Sequence, residues 1–262
     1  MERGKFMHTF IISGKKLLIA ASSCLAAVLV AVGAGLLIAG KAAPTSAQPK
    51  KVPIYSVKTE EKKIALTFDA AWGNSDTDRL IEILKKHNAK ATFFATGEWV
   101  DKYPDDVKKL TAAGHDIQNH SDKHPHVAKI SAKDVIKDAK NCDDKIEALT
   151  GKRPTLYRAP YGEYSNEMLE ALEKEGMQVI QWNVDSRDWK RPSVETMVSS
   201  VTKAVTPGSI LLFHNDVPNT PAALDAILTQ LDKDGYQYML VSDLILKDNY
   251  TIDSNGVQSA KP

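Results

Sequence analysis

The sequence predicts a parallel α/β domain carried behind one apolar membrane segment. Three observations carry that reading. Short apolar runs rich in β-branched and aromatic residues recur along the chain, and segments with helical apolar spacing separate them. A run of 24 uncharged residues, 17–40, precedes both. Strands alternating with helices are the pattern of a parallel sheet covered by helices.

The apolar run comes first. At about 1.5 Å per helical residue, LLIAASSCLAAVLVAVGAGLLIAG is long enough to cross a ~30 Å hydrocarbon core. The apolar part of a cleavable secretory signal is shorter, roughly 7–15 residues. Residues 17–40 therefore read as a transmembrane anchor, with a long signal cut near Ala43 or Ala47 as the alternative. Arg3, Lys5, Lys15 and Lys16 precede the run and only Lys41 follows it closely. That asymmetry places the basic lead, 1–16, in the cytoplasm and everything after the run outside, as a single-pass membrane protein or a secreted one. Residues 41–59, small, polar and proline-bearing, read as a linker.

The 262 residues are 43% hydrophobic and 26% charged, a globular composition that excludes collagen-like and disordered chains. The net charge of +1 is unevenly spread. Of 34 Lys/Arg and 33 Asp/Glu, residues 1–51 hold seven and one, leaving 27 and 32 for the rest. The outer body is thus mildly acidic and carries no basic nucleic-acid footprint; nucleic acid is not an expected partner. Cys24 and Cys142 are the only cysteines, so no intrachain disulfide framework is available.

Strands are expected at Lys63–Asp69, Lys90–Thr96, His115–Asn119, Thr155–Arg158, Gln178–Val184, Ser209–His214 and Tyr236–Val241. Helices are expected around Leu80–Leu84, Val107–Leu110, Val135–Leu149, Met168–Leu172, Val194–Val205 and Leu224–Leu231. Gly114, Gly151, Gly176 and Gly235 follow helical segments as stops should. The domain spans 60–247, and 248–262 reads as a loose polar tail.

Polar residues gather where strands end, the place where parallel α/β folds do their chemistry. The first strand ends in Thr67-Phe68-Asp69. The third leads into Asn119-His120-Ser121-Asp122-Lys123-His124, in which two histidines four apart would share one face of a helical turn and one metal ion. The fourth ends in Arg158-Ala159-Pro160-Tyr161-Gly162, where Pro and Gly fix a sharp loop able to aim a backbone N–H. The fifth leads into Asp185-Ser186-Arg187-Asp188-Trp189, and the sixth ends in Leu212-Phe213-His214-Asn215. Taken singly, each is more often a cap or a satisfied core polar group; five at strand ends are hard to obtain that way.

The set TFDxxWG, HSxxH, RAPYG, DSxDW and LLFH, in this order over residues 60–245, resembles the motifs of the polysaccharide deacetylases (NodB-homology domain, carbohydrate esterase family 4). The resemblance implies a distorted (β/α) barrel of about seven parallel strands. It implies removal of N-acetyl groups from an N-acetylglucosamine-type polymer with a divalent metal, often zinc. By motif, Asp69 would be the general base, oriented by Arg158, and His120 and His124 would hold the metal. The backbone N–H of Tyr161 would stabilise the oxyanion, and His214 would protonate the departing amine, with Asp185 or Asp188 tuning its charge. Trp189, with Leu212, would line the sugar pocket. A substrate outside the membrane and beneath a wall points to peptidoglycan.

One departure stands out. The family's first motif usually reads TFDD, its second Asp being the third metal ligand; here that position is Ala70, and a methyl group cannot ligate. Either Asn74, Asp76 or Asp78 substitutes, or water does, or metal binding is weakened or lost. The shortened motif followed by Trp72-Gly73 resembles the sporulation-associated branch of the family. Ala70 also motivates a competing reading, a carbohydrate-binding homologue that has lost catalysis. A glycosidase would use paired carboxylates but would leave HSxxH and RAPYG unexplained.

Overall fold

The computed structural model describes residues 50–262; the basic lead, the apolar run and most of the linker lie outside the described residues. No helix among the described residues is long and apolar enough to cross a membrane.

Strands occur at β1 (Ser56–Val57), β2 (Lys63–Ala70), β3 (Ala91–Ala95), β4 (Asp116–Asn119), β5 (Leu156–Tyr157), β6 (Gln178–Val179), β7 (Val184–Asp185), β8 (Ile210–His214), β9 (Gln237–Met239), β10 (Tyr250–Ile252) and β11 (Val257–Ala260). The main sheet is parallel throughout, in the order β6-β5-β4-β3-β2-β8-β7. β3 pairs with β2 only from Leu66 onward, and β9 takes the earlier stretch, Lys63–Ala65.

Residues 178–184, expected as one strand, form two. β6 pairs with β5 at one edge and β7 pairs with β8 at the other. Between them the Gln181 N–H donates to the Ile54 carbonyl and the Asn183 N–H to that of Ile210. This one segment, with no helix inside it, brings the two edges of a curled sheet together. Periodicity alone does not separate a crossing segment from a strand.

The pleat sorts β2 into two faces. Ile64, Leu66, Phe68 and Ala70 join a cluster under the helices, while Ala65 joins the opposite cluster with Phe94, Leu156, Ile180 and Ile210. Phe68 stacks on Phe93 at 4.8 Å and on Phe213 at 5.5 Å. Burying each such ring is worth roughly 1.5–3 kcal/mol. Thr67 and Asp69 alternate with these residues and face the barrel mouth.

Helices occupy Thr77–Lys86, Gly97–Lys102, Pro104–Ala112, Ala132–Thr150, Asn166–Lys174, Val194–Ala204, Thr220–Lys233 and Val241–Leu244. All six expected helices are present, and the short ones at 97–102 and 241–244 were not expected. Thr96, Ser131, Ser165 and Ser193 cap helix starts by accepting the backbone N–H three residues on. Gly151 closes the longest helix in the left-handed region (φ 71°), where a Cβ would be strained.

Two boundaries need correction. The tail 248–262 is not loose: β10 and β11 pair antiparallel, and β11 pairs parallel with β1. Gln258 is fully buried and exchanges two side-chain hydrogen bonds with the backbone of Leu246. The end of the expected linker 41–59 belongs to the fold as well, since Ile54 and Val57 are buried and Ile54 bridges to Ile180. Both segments are polar apart from a few residues, so composition concealed their pairing.

Candidate active site

Asp69 sits at the carboxyl end of β2, buried, between Arg158 and His120. The Arg158 Nη1 donates to Asp69 Oδ1 at 2.9 Å and to Thr67 Oγ1 at 2.7 Å. Its Nη2 donates to the Gln181 carbonyl at 3.1 Å, and its guanidinium lies 4.1 Å from the centroid of the Phe94 ring. Arg158 is fully buried, so every direction in which it could swing is filled. Burial works to raise the Asp69 carboxyl, and the facing His120, Arg158 and His214 outweigh it, holding the group below its ordinary value.

His120 follows β4. Its Nδ1 lies 2.8 Å from the Arg158 carbonyl, which fixes the proton there and turns Nε2 toward Asp69 Oδ2, 3.6 Å away. The ring of His124 meets it edge-on at a centroid distance of 5.0 Å. The pair does not ride on a helical turn as expected. Ser121 (φ 70°) and His124 (φ 52°) are left-handed, and the loop is tied by Ser121 N–H to Asn119 Oδ1 and His124 N–H to Ser121 Oγ. Burial lowers both imidazoles, His124 to about 4, which favours the neutral, ligating form.

On the opposite side, His214 ends β8. Its Nδ1 lies 2.7 Å from Asp188 Oδ1, and its backbone N–H donates to Asp188 Oδ2 at 2.7 Å. Thr220 Oγ1 and the Trp189 N–H complete the shell of the Asp188 carboxylate. Burial works to lower His214, but the Asp188 hydrogen bond and the charges of Asp69, Asp188 and Asp185 overcome it and raise the group. Asp188 holds His214 directly, whereas Asp185 Oδ1 accepts the Arg187 N–H in its own loop and acts on His214 through its charge alone.

Tyr161 is left-handed (φ 60°), and its ring stands edge-on to His124 at 4.6 Å and stacks on His126 at 4.2 Å. Its N–H has no acceptor among the described residues. Trp189 is 56% exposed, beside a cleft of about 230 Å³ that Trp72, Arg191, His214 and Asn215 also line. Leu212 lies in register with Thr67 and is only 2% exposed, so it offers the barrel mouth a floor and almost no contact surface. Trp72 was not among the expected site residues, yet its ring lies 5.5 Å from His124 and 6.3 Å from His214, between the two halves of the site. His126 backs Tyr161 and bonds Glu163. The Trp in TFDxxWG was the signal for the first; nothing in spacing marked the second.

The donor set fits half of a divalent-metal site. His120 and His124 supply two imidazoles, and no group of three candidate ligands occurs among the described residues. Ala70 is fully buried in the apolar cluster under the helices. Of the three proposed substitutes, Asn74 donates to Asp106 and Asp78 pairs with Lys109, while Asp76 accepts the Asp216 N–H on Oδ1 and keeps a buried Oδ2 without a hydrogen-bond partner. A three-ligand protein site is not formed.

This arrangement, a buried carboxyl held below its ordinary value and an imidazole raised above its own at the ends of neighbouring strands, suits the acid–base chemistry of a hydrolase. A family model described as polysaccharide deacetylase matches residues 56–180. The chain is 32% identical over 204 residues to the Bacillus subtilis peptidoglycan-N-acetylmuramic acid deacetylase PdaA, covering 76% of this chain and 78% of PdaA. It is 36% identical over 194 residues to the peptidoglycan-N-acetylglucosamine deacetylase PgdA of Listeria monocytogenes, covering 74% of this chain but only 41% of PgdA. The structure of BA3943, described as a pseudoenzyme of carbohydrate esterase family 4 from Bacillus anthracis, aligns with a TM-score of 0.71 at 34% identity over 75% of this chain and 69% of BA3943. The chain belongs to the polysaccharide deacetylase family.

Proposed function

We propose that this protein hydrolyses the N-acetyl amide of amino sugars in a cell-wall polysaccharide, most plainly peptidoglycan, from a membrane-anchored position outside the cytoplasm. The observation that carries the chemistry is the pairing of two groups at the ends of neighbouring strands: Asp69, whose carboxyl is held below its ordinary value, and His214, whose imidazole is raised above its own by Asp188. An amide resists hydrolysis because its carbonyl is a weak electrophile and its amine a poor leaving group. Asp69, aimed by Arg158, takes the proton of the attacking water; His214, poised by Asp188, gives one to the departing amine. Each transfer is worth roughly 10²–10⁴-fold. The free Tyr161 N–H meets the developing oxyanion, worth about 10²–10³. Both proton steps use the protein's own side chains and are routed through no metal.

Support for peptidoglycan comes from the relatives' activities, and support for the location from the 17–40 run with its basic lead. Ala70 favours one second reading, a wall-glycan binder without turnover. Acetate release from N-acetylated peptidoglycan by the purified protein separates them: acetate that disappears in Asp69→Asn supports the hydrolase, and glycan binding without acetate supports the binder.

A further inference from the structure

Beyond Asp188, the loop that follows β7 carries three cations, Arg187, Lys190 and Arg191, all exposed. The body of the domain is mildly acidic, yet the guanidinium groups of Arg187 and Arg191 have no hydrogen-bond or ion-pair partner among the described residues, and the Lys190 Nζ sits 4.9 Å over the Trp189 ring. Arg187 and Arg191 are both left-handed (φ 54° and 55°), and the Arg191 N–H donates to the Asp188 carbonyl at 2.7 Å. The turn that presents Arg191 is therefore built on the same residue that holds His214. Arg191 lines the cleft of about 230 Å³ together with Trp72, Trp189, His214 and Asp216. Asp216 is the one acid in that lining, and its Oδ1 already accepts the N–H and O–H of Ser75.

From this placement we propose that Arg191 is a specificity residue, and that the cleft beside His214 selects a sugar bearing a carboxylate over a neutral one. The inference rests on the deacetylase reading for the position of the reacting sugar, because His214 must face the departing amine. Whatever hangs from that sugar or its neighbour then lies over the cleft. The tryptophans offer two apolar faces for pyranose rings, and the unpaired guanidinium offers a planar fork that matches a carboxylate. A cleft evolved for neutral N-acetylglucosamine alone would gain nothing from an unneutralised cation there. The acid in question is a substituent on the glycan itself, such as the lactyl ether of muramic acid.

The test uses the full-length chain and three probes: a peptide-free oligosaccharide alternating N-acetylglucosamine and N-acetylmuramic acid, its methyl ester, and tetra-N-acetylchitotetraose. Affinities are measured by calorimetry at low and high salt for wild type, Arg191→Gln and Arg191→Lys, with Lys203→Gln, on the helix Val194–Ala204, as the control for losing one charge. The free acid should bind about two- to fivefold more tightly than its ester, as a solvent-exposed ion pair implies. That preference should shrink with salt, vanish in Arg191→Gln, survive in part in Arg191→Lys and be unchanged in Lys203→Gln. Equal affinities for acid and ester, a preference that persists in Arg191→Gln, or no binding to any probe overturns the proposal. Acetate release from the chitotetraose, measured in parallel, reports on the hydrolase reading alone. Carboxylate-selective binding without acetate from any probe removes that reading and keeps the selectivity. Acetate with equal affinities does the reverse.

Discussion

Asp188→Asn probes the poise of the general acid without touching any metal donor. Asp188 is fully buried and its Oδ1 lies 2.7 Å from His214 Nδ1. A hydrogen bond to a charged group contributes about 1.5–3 kcal/mol, and one pKa unit is about 1.4 kcal/mol, so neutralising Asp188 should lower His214 by about 1–2 units. The sign follows from its role. His214 works protonated, so activity is full below its folded pKa and falls as pH rises through it; the alkaline limb of the profile should move down by that amount. The same raised pKa makes His214 a source of stability that is complete below its unfolded value near 6.5 and is lost as pH climbs through the folded value. An NMR titration of the His214 ring reads the shift independently of turnover, and the pH profile of acetate release reads its consequence. A His214 titration that does not move would refute the claim that Asp188 sets its charge.

Other outcomes follow from the same geometry. Arg158→Met leaves the Asp69 carboxylate buried without its partner, and thermal unfolding should show a loss of about 3–5 kcal/mol; a loss below about 1 would mean Asp69 is held by other groups. Gln258→Ala removes both bonds to Leu246 and should cost about 1–3 kcal/mol in chemical denaturation, because buried backbone groups are left unpaired; no cost would mean the small sheet is not part of the folded body. Ala70→Asp, whose carboxylate has to turn out of the apolar cluster to reach His120 and His124, should raise zinc retained after dialysis, measured by elemental analysis. Unchanged zinc would mean that a carboxylate at position 70 does not complete the His120–His124 pair.

The strand ends were readable because burial demands long apolar runs and chemistry puts polar residues directly after them. TFD, RAP and LFH each show that junction, and Asp69, Arg158 and His214 do converge. Other features depend on partners far away in sequence. The segment 178–185 serves two edges of the sheet because Ile54 and Ile210 receive it. The tail is ordered because β11 finds β1 some two hundred residues earlier. The engagement of Asn74, Asp76 and Asp78 was equally hidden, since Asp106, Asp216 and Lys109 are not their neighbours in the chain. His120 and His124 were found by spacing, though the spacing suggested a helical turn and the loop supplies two left-handed residues instead.

The central claim, that Asp69 and His214 act as base and acid on an N-acetyl amide, is tested most directly by quantifying acetate and new free amines from purified N-acetylated peptidoglycan. The account predicts equal amounts of both from the wild-type protein, and a loss of about 10²–10⁴-fold in Asp69→Asn and in His214→Gln. Acetate release that survives either substitution, or none from the wild-type protein, would contradict it.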